Sequence, residues 1–161
     1  RRGSTIHCIV MRDMNAPRDP IVFDYKPERA VVQGIKQLEK ADALIGHNIT
    51  GYDIPLIKEQ YPDFDFQGDI LDTLVMSRLY YPSISDRDYE RRPDGMPQRL
   101  YGRHSLEAWG YRLKCFKGDF SKNESNDWST YTPEMLDYCI QDTQVTLRLY
   151  ELLQRRMETY A

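Results

Sequence analysis

An α/β domain with a mixed sheet flanked by helices is what this sequence predicts, on three observations. Short β-branched and apolar runs open the chain, strand-like and helix-period segments alternate through its middle, and helical spacing fills its C-terminal end. At 161 residues the chain is read as one domain, 1–161, long enough to bury about two thirds of the surface of its unfolded form.

Residues 4–11, Ser-Thr-Ile-His-Cys-Ile-Val-Met, and 20–25, Pro-Ile-Val-Phe-Asp-Tyr, flank a polar turn with Asn15, Pro17, Arg18 and Asp19, which predicts an antiparallel hairpin. Beyond Pro27, Val31, Ile35 and Leu38 fall at helical spacing over 28–40, and Lys36 and Lys40 suit the negative end of a helix dipole. Residues 43–46 predict a short buried strand, and 55–61 a helix beyond the Gly51 turn. Ile70-Leu71 is a minimal strand before a helix over 73–80, with Leu74, Val75 and Leu79 expected inward. Residues 82–103 hold three prolines and five arginines without a hydrophobic period, which predicts a long loop. Ser105 is a candidate N-cap for a helix over 106–113 whose Leu106, Trp109 and Leu113 share a face. Residues 117–130 predict a polar loop. Thr132-Pro133 then opens a final helix towards Tyr160, with Leu136, Ile140, Leu147, Leu149 and Leu152 as its apolar stripe.

A net charge of -3 argues against a protein that coats polyanions, though an acidic site inside a locally basic groove gives the same total. The three cysteines, Cys8, Cys115 and Cys139, show no zinc or disulfide-scaffold spacing; Cys8 and Cys139 are expected to pack as small hydrophobes in a reducing cytoplasm. No apolar run approaches the roughly 20 residues of a membrane span. The chain begins Arg1-Arg2-Gly3 without an initiator Met.

Chemistry-bearing residues cluster in two places. Asn48, Tyr52 and Asp53 follow the end of an apolar strand, where open α/β sheets commonly place ligand sites. A polar turn with an Asx cap is the alternative for these residues. Tyr138 and Asp142 are four apart on a predicted helix, so both project to one face. Alone, such a pair recurs by chance in a chain with 12 tyrosines and 25 acidic residues.

Their order is more specific than either pair. Asn48-x-x-x-Tyr52-Asp53, then Leu71-Asp72-Thr73-Leu74, then Tyr138-x-x-x-Asp142 resembles the DEDD exonuclease superfamily in its tyrosine subclass. Gly46-His47-Asn48, Asp72-Thr73-Leu74-Val75-x-Ser77-Arg78-Leu79, the block from His104 to Leu113, and Asp137-Tyr138-x-x-Gln141-Asp142 are similar to the proofreading 3′-to-5′ exonuclease domain of family A DNA polymerases from bacteriophages of the T-seven type. The resemblance spans essentially the whole chain.

It implies a ribonuclease H-like fold and in-line hydrolysis at the 3′ end of single-stranded DNA, in the service of a DNA polymerase domain or subunit. It also implies two Mg²⁺ or Mn²⁺ ions, whose affinity for carboxylate oxygens suits an aspartate site. On this resemblance Asp142 and Asp53 are the metal-binding and catalytic carboxylates. Tyr138 orients the attacking water, Asn48 orients the substrate end, and Tyr52 is a further substrate-binding candidate. A bacterial or phage-infected cytoplasm, with no membrane partner, follows from the same resemblance.

One departure stands out. The family's Asp-x-Glu, borne on its first strand, is missing, and that strand normally lies mid-sheet. Asp88-Tyr89-Glu90 is the one Asp-x-Glu here, but it falls in the Arg/Pro segment after the second motif and is rejected as a substitute. The expectation is that the chain starts inside a longer protein or takes the strand from elsewhere, since its loss would expose two strand edges. With two of four expected carboxylates, the chain as given is expected to bind metal weakly and cut poorly.

Arg87, Arg91, Arg92, Arg99 and Arg103 are interleaved with Asp86, Asp88, Glu90 and Asp94 and are expected to form a solvated mixed-charge loop in preference to a phosphate track. His104 is expected to be a structural hydrogen-bonder, Trp109 a core residue, and Tyr111 either core or base-stacking. Two competing functions remain: a catalytically incomplete module that holds DNA or braces a polymerase, and an RNA-directed exonuclease of the same superfamily.

Overall fold

The computed structural model describes residues 5–115 and 130–160, so most of the polar loop predicted at 117–130 lies outside the described residues. The opening hairpin forms as predicted: β1 (Ile9–Met11) pairs antiparallel with β2 (Ile21–Phe23), with Val10 opposite Val22. A single 3-10 turn at Pro27–Arg29 leads into helix α1 (Val31–Glu39). The turn is held by Asp24, 1% exposed, whose carboxylate takes Arg29 Nη2 at 2.8 Å. Burial alone would raise the pKa of Asp24, but hydrogen bonds from Lys26 and Arg29 outweigh it and hold the group below its usual value.

Strand β3 (Ala43–Gly46) pairs parallel with β4 (Asp69–Asp72), Gly46 lying opposite Asp72. Among the described residues the strands form two separate two-stranded ladders, one antiparallel and one parallel. Both pairing modes of the predicted mixed sheet are therefore present, without hydrogen bonds joining them. Between β3 and β4 the chain passes through a π-helical turn, Ile49–Asp53, into helix α2 (Ile54–Gln60), with Pro55 in its first turn where a missing N–H costs nothing. α1, α2 and β1 enclose a small core of Ile35, Ile57 and Phe64, against which Ile9, Val31 and Leu38 pack.

Helix α3 (Thr73–Tyr80) spans the predicted residues but turns a different face inward. Thr73 and Ser77 are fully buried, whereas Val75 is 56% and Leu79 68% exposed. The buried face is fixed by hydrogen bonds: Thr73 Oγ1 meets His47 Nδ1 at 2.9 Å, and Ser77 Oγ, which donates to the carbonyl of Leu74, meets His104 Nδ1 at 3.1 Å. Two small polar side chains with partners let the backbone approach closely, and the hydrophobic pattern pointed to the wrong face.

The segment 82–103 is not the predicted loop. It contains helix α4 (Ile84–Arg91) and a 3-10 turn at Gln98–Leu100. Ile84 and Asp88, one turn apart, are buried, and Asp88 meets Arg112 at two points, Oδ1–Nε 2.9 Å and Oδ2–Nη2 2.7 Å. Asp88 also accepts the N–H of Gly102 at 2.9 Å. A charged residue thus anchors the inner face of α4, so no apolar period advertises the helix. This engagement agrees with the rejection of Asp88-Tyr89-Glu90 as a metal motif and corrects the reading of Asp88 as a solvated loop charge. Arg87 lies over the Tyr81 ring, 5.4 Å from its centroid, and Arg99 pairs with Glu107 at 3.4 Å.

Ser105 caps helix α5 (Leu106–Arg112) by accepting the N–H of Ala108, and Thr132 caps α6 (Pro133–Thr159) by accepting that of Met135. Trp109 is a core residue as predicted, packed with Tyr81, Ile84, Val145, Leu149 and Leu153. The buried line of α6 is Met135, Val145, Leu149 and Leu153, displaced from the predicted stripe at all but Leu149, although Leu152 packs at its edge. Tyr111 packs partly buried against Met96, Leu100 and Ala108. Among the described residues no helix is long and apolar enough to cross a membrane.

Candidate functional site

The parallel register of β3 and β4 brings two strand ends together, and the site is built on that edge. After Gly46 the chain turns sharply at Asn48, whose φ of 58° and ψ of 30° place it in the left-handed region that Asn tolerates better than most residues. Asp72, at the matching end of β4, holds the turn. Its Oδ1 accepts the N–H of Asn48 at 2.9 Å and its Oδ2 the N–H of Thr50 at 3.2 Å, and the Thr50 hydroxyl also donates to Oδ2. Oδ1 further accepts the N–H of Leu74 at 3.0 Å, the N-cap bond of α3. One carboxylate therefore locks the β3 turn to the start of α3.

Burial alone would raise the pKa of Asp72. The hydrogen bonds from Thr50, Asn48 and Leu74 outweigh it and hold the group below its usual value, so it stays ionised. His47 adds a second brace: with Nδ1 on Thr73, its Nε2 donates to the carbonyl of His104 at 2.7 Å. Desolvation lowers its pKa, which keeps the imidazole neutral at pH 7. His104 is the structural hydrogen-bonder expected of it.

The locked turn delivers Asp53 to the start of α2. Asp53 is exposed; partial desolvation of its carboxylate, followed by the negative charge of Asp72, pushes its pKa up to about 6. Asp142, half-buried on α6, is pushed up to about 7, first by desolvation and then by the charge of Asp53. The structure thus brings Asp53 and Asp142 into electrostatic reach of each other, although 89 residues (142 minus 53) separate them in sequence. The charge of Asp53 is thus the second cause of the raised pKa of Asp142, after desolvation.

Tyr138 lies one turn before Asp142 on α6 and is half-buried. Tyr52 and Asn48 are exposed on the turn, Tyr52 at 44%. The helix is tied to the hairpin by Arg12, whose Nε donates to Thr143 Oγ1 at 2.9 Å and Nη2 to the carbonyl of Ile140 at 3.4 Å. It also carries Cys139, whose sulfur is 3.8 Å from that of Cys8. Cys8 and Cys139, expected to pack as small hydrophobes, are half-buried and face each other.

Among the described residues neither Asp53 nor Asp142 makes an ion pair, and no three His, Cys, Asp or Glu side chains converge as a metal-holding group. Carboxylates are the donor type that a hard divalent cation takes. Asp72 and His47 are the residues that motif reading left without a role. The signal for Asp72 was its place immediately before a helix, the position of an N-cap.

These elements define an α/β domain with an acidic site at a strand end, faced by a tyrosine-bearing helix. The chain is homologous to part of the DNA-directed DNA polymerases of T-seven-type phages. It is 31% identical to that of Enterobacteria phage T3 over 170 aligned positions, covering 91% of this chain and 24% of the polymerase. It is 30% identical to that of Escherichia phage T7 over the same shares. The chain thus spans about a quarter of the length of these curated relatives. No protein-family model matches the chain.

Proposed function

We propose that the chain is a ribonuclease H-like 3′-to-5′ exonuclease domain that removes nucleotides from single-stranded DNA ends and proofreads for a DNA polymerase. The observation that carries the reading is that Asp142 on α6 stands within reach of the charge of Asp53, at the end of the β3 turn. Two carboxylates with raised pKa values and, among the described residues, no ion-pair partner are poorly placed for stability and well suited to receive divalent cations. Similarity to phage polymerases over nearly the whole chain supports the same reading.

In this reading Asp142 and Asp53 are the chain's own ligands for Mg²⁺ or Mn²⁺. The ions, when bound, stabilise the attacking and leaving oxygens of the phosphodiester. Tyr138 orients the attacking water, Asn48 and Tyr52 contact the terminal nucleotide, and Asp72 with His47 keeps the turn in place. A complete site needs further carboxylates, for which the Asp-x-Glu strand of the family is the natural source.

A 5′-labelled oligonucleotide incubated with Mg²⁺ tests the proposal. Slow stepwise shortening from the 3′ end is expected of the chain as given, with loss on Asp142→Ala; equal, measurable rates for the two proteins remove the assignment. The lack of a third ligand among the described residues favours one alternative, a module that holds DNA or braces a polymerase without cutting. Retention of single-stranded DNA with no shortening in either metal would select it. Parallel digestion of matched DNA and RNA strands tests the choice of nucleic acid.

A further inference from the structure

Beyond the carboxylate site, the thiols of Cys8 and Cys139 face each other and have no assigned role. Cys8 precedes β1 and Cys139 lies in α6, so 131 residues separate two sulfurs that are 3.8 Å apart. Both are half-buried, so small solutes can reach them, while the third cysteine, Cys115, is 3% exposed. A disulfide needs sulfurs about 2.05 Å apart, a closure of under about 2 Å that side-chain rotation can supply. Arg12 already ties the same two elements together on Thr143 and Ile140, which keeps the thiols in register as they close.

We propose that Cys8 and Cys139 form a dithiol modification site, which low-molecular-weight disulfides of the glutathione class convert reversibly into an internal disulfide. The first step is attack of the Cys8 thiolate on one sulfur of oxidised glutathione. That bond breaks, one glutathione thiolate leaves and takes up a proton, and Cys8 carries a mixed disulfide. Cys139 then loses its proton to solvent and attacks the Cys8 sulfur, releasing the second glutathione thiolate, which is protonated in turn. Two protein thiols have been oxidised by two electrons, and one glutathione disulfide has become two thiols.

Cys8 is the initiating residue for a physical reason. Its thiol is drawn below the ordinary value by the hydrogen bond with Cys139, while the hydrogen bond with Cys8, burial and the carboxylates of Asp142 and Asp53 keep the proton on Cys139. The bridge would fasten α6, one residue from Tyr138 and three from Asp142, to the segment entering β1. The proposal stands on the thiol geometry and does not depend on the nuclease reading.

Intact-mass measurement of the whole chain in a buffered series of reduced and oxidised glutathione tests it. The expected product is about 2 Da lighter than the reduced chain, yields a cross-linked peptide containing Cys8 and Cys139, and returns to the starting mass with excess reduced glutathione. Cys139→Ser is expected to stop at a stable glutathione adduct on Cys8. Accumulation of that adduct on the unmodified chain, a bridge involving Cys115, or covalent dimers in place of the lighter monomer would each overturn the proposal.

Discussion

The N–H of Asn48 donates to Oδ1 of Asp72 at 2.9 Å, and the same oxygen caps α3 through Leu74 at 3.0 Å. A turn that must hold an Asn in the left-handed region is thereby fastened to a helix that begins on the neighbouring strand. Asp72→Ala removes this link together with both Thr50 bonds, and the expected cost is about 2–4 kcal/mol, from a lost N-cap and stranded donors. Urea titration at pH 7 measures it. Because the folded-state pKa of Asp72 lies below 3.8, its contribution is present above that value and is lost as pH falls through the folded pKa. The gap between the two proteins should therefore narrow in acid.

Asp142 carries the opposite sign. Its pKa is raised from 3.8 to about 7, so the folded chain holds the proton more tightly than the unfolded one. Stability from this group is greatest below 3.8, declines as pH rises to 7, and stays at its low plateau beyond. Asp142→Asn is expected to unfold at a temperature a few degrees above that of the unmodified chain at pH 8 without divalent ions. That corresponds to a gain on the order of 1–2 kcal/mol after solvent screening, and no gain is expected near pH 4. Thermal melts at the two pH values decide it; a variant less stable at pH 8 would show that the carboxylate has a stabilising partner.

What the sequence made legible, and what it hid, follow from the kind of force involved. The β3 strand, the span of α3, the Ser105 cap and the start of α6 at Thr132-Pro133 were readable because strand apolarity, turn residues, a capping hydroxyl and proline act within a few residues. Helix α4 was not, because its burial rests on Asp88 meeting Arg112 from another helix, 24 residues away. The inward face of α3 was misassigned because Thr73 and Ser77 are buried by partners, His47 and His104, that local hydrophobicity does not register. At the site, Asp53 and Asp142 were named from motif order, whereas the bracing role of Asp72 and the meeting of Cys8 with Cys139 depend on strand register and tertiary packing.

The buried pair Asp88–Arg112 offers a direct measure of how α4 is held. The side chains are 2% and 7% exposed, and the guanidinium also donates to the carbonyl of Arg103 at 2.7 Å and lies 4.7 Å from the centroid of the Trp109 ring. Asp88→Ala leaves a buried, unpaired cation and is expected to cost about 3–5 kcal/mol. Asp88→Leu combined with Arg112→Met should recover much of that loss, because removing both charges removes the desolvation penalty. A double-mutant cycle by urea unfolding reads the difference, and additive losses would mean that the two groups act independently.

Gly51 separates the shape of the turn from the stability of the fold. A Cβ at this position would stand 2.5 Å from Oδ1 of Asn48 and 3.4 Å from its Cγ, with no backbone atom among its nearest contacts. The clash falls on the end of an exposed side chain, which can swing away, so Gly51→Ala is expected to cost less than about 1 kcal/mol. The amide of Asn48 would nevertheless leave its present position. If that amide contacts the terminal nucleotide, Gly51→Ala and Asn48→Ala should each weaken binding of a fluorescent single-stranded DNA 3′ end by about three- to tenfold, and the double variant should be no worse than either alone. Anisotropy titrations at low salt measure the binding half, and a urea midpoint for Gly51→Ala lowered by the equivalent of less than about 1 kcal/mol measures the stability half. Full binding by Gly51→Ala together with impaired binding by Asn48→Ala would show that the present orientation of the amide is not the one that meets DNA.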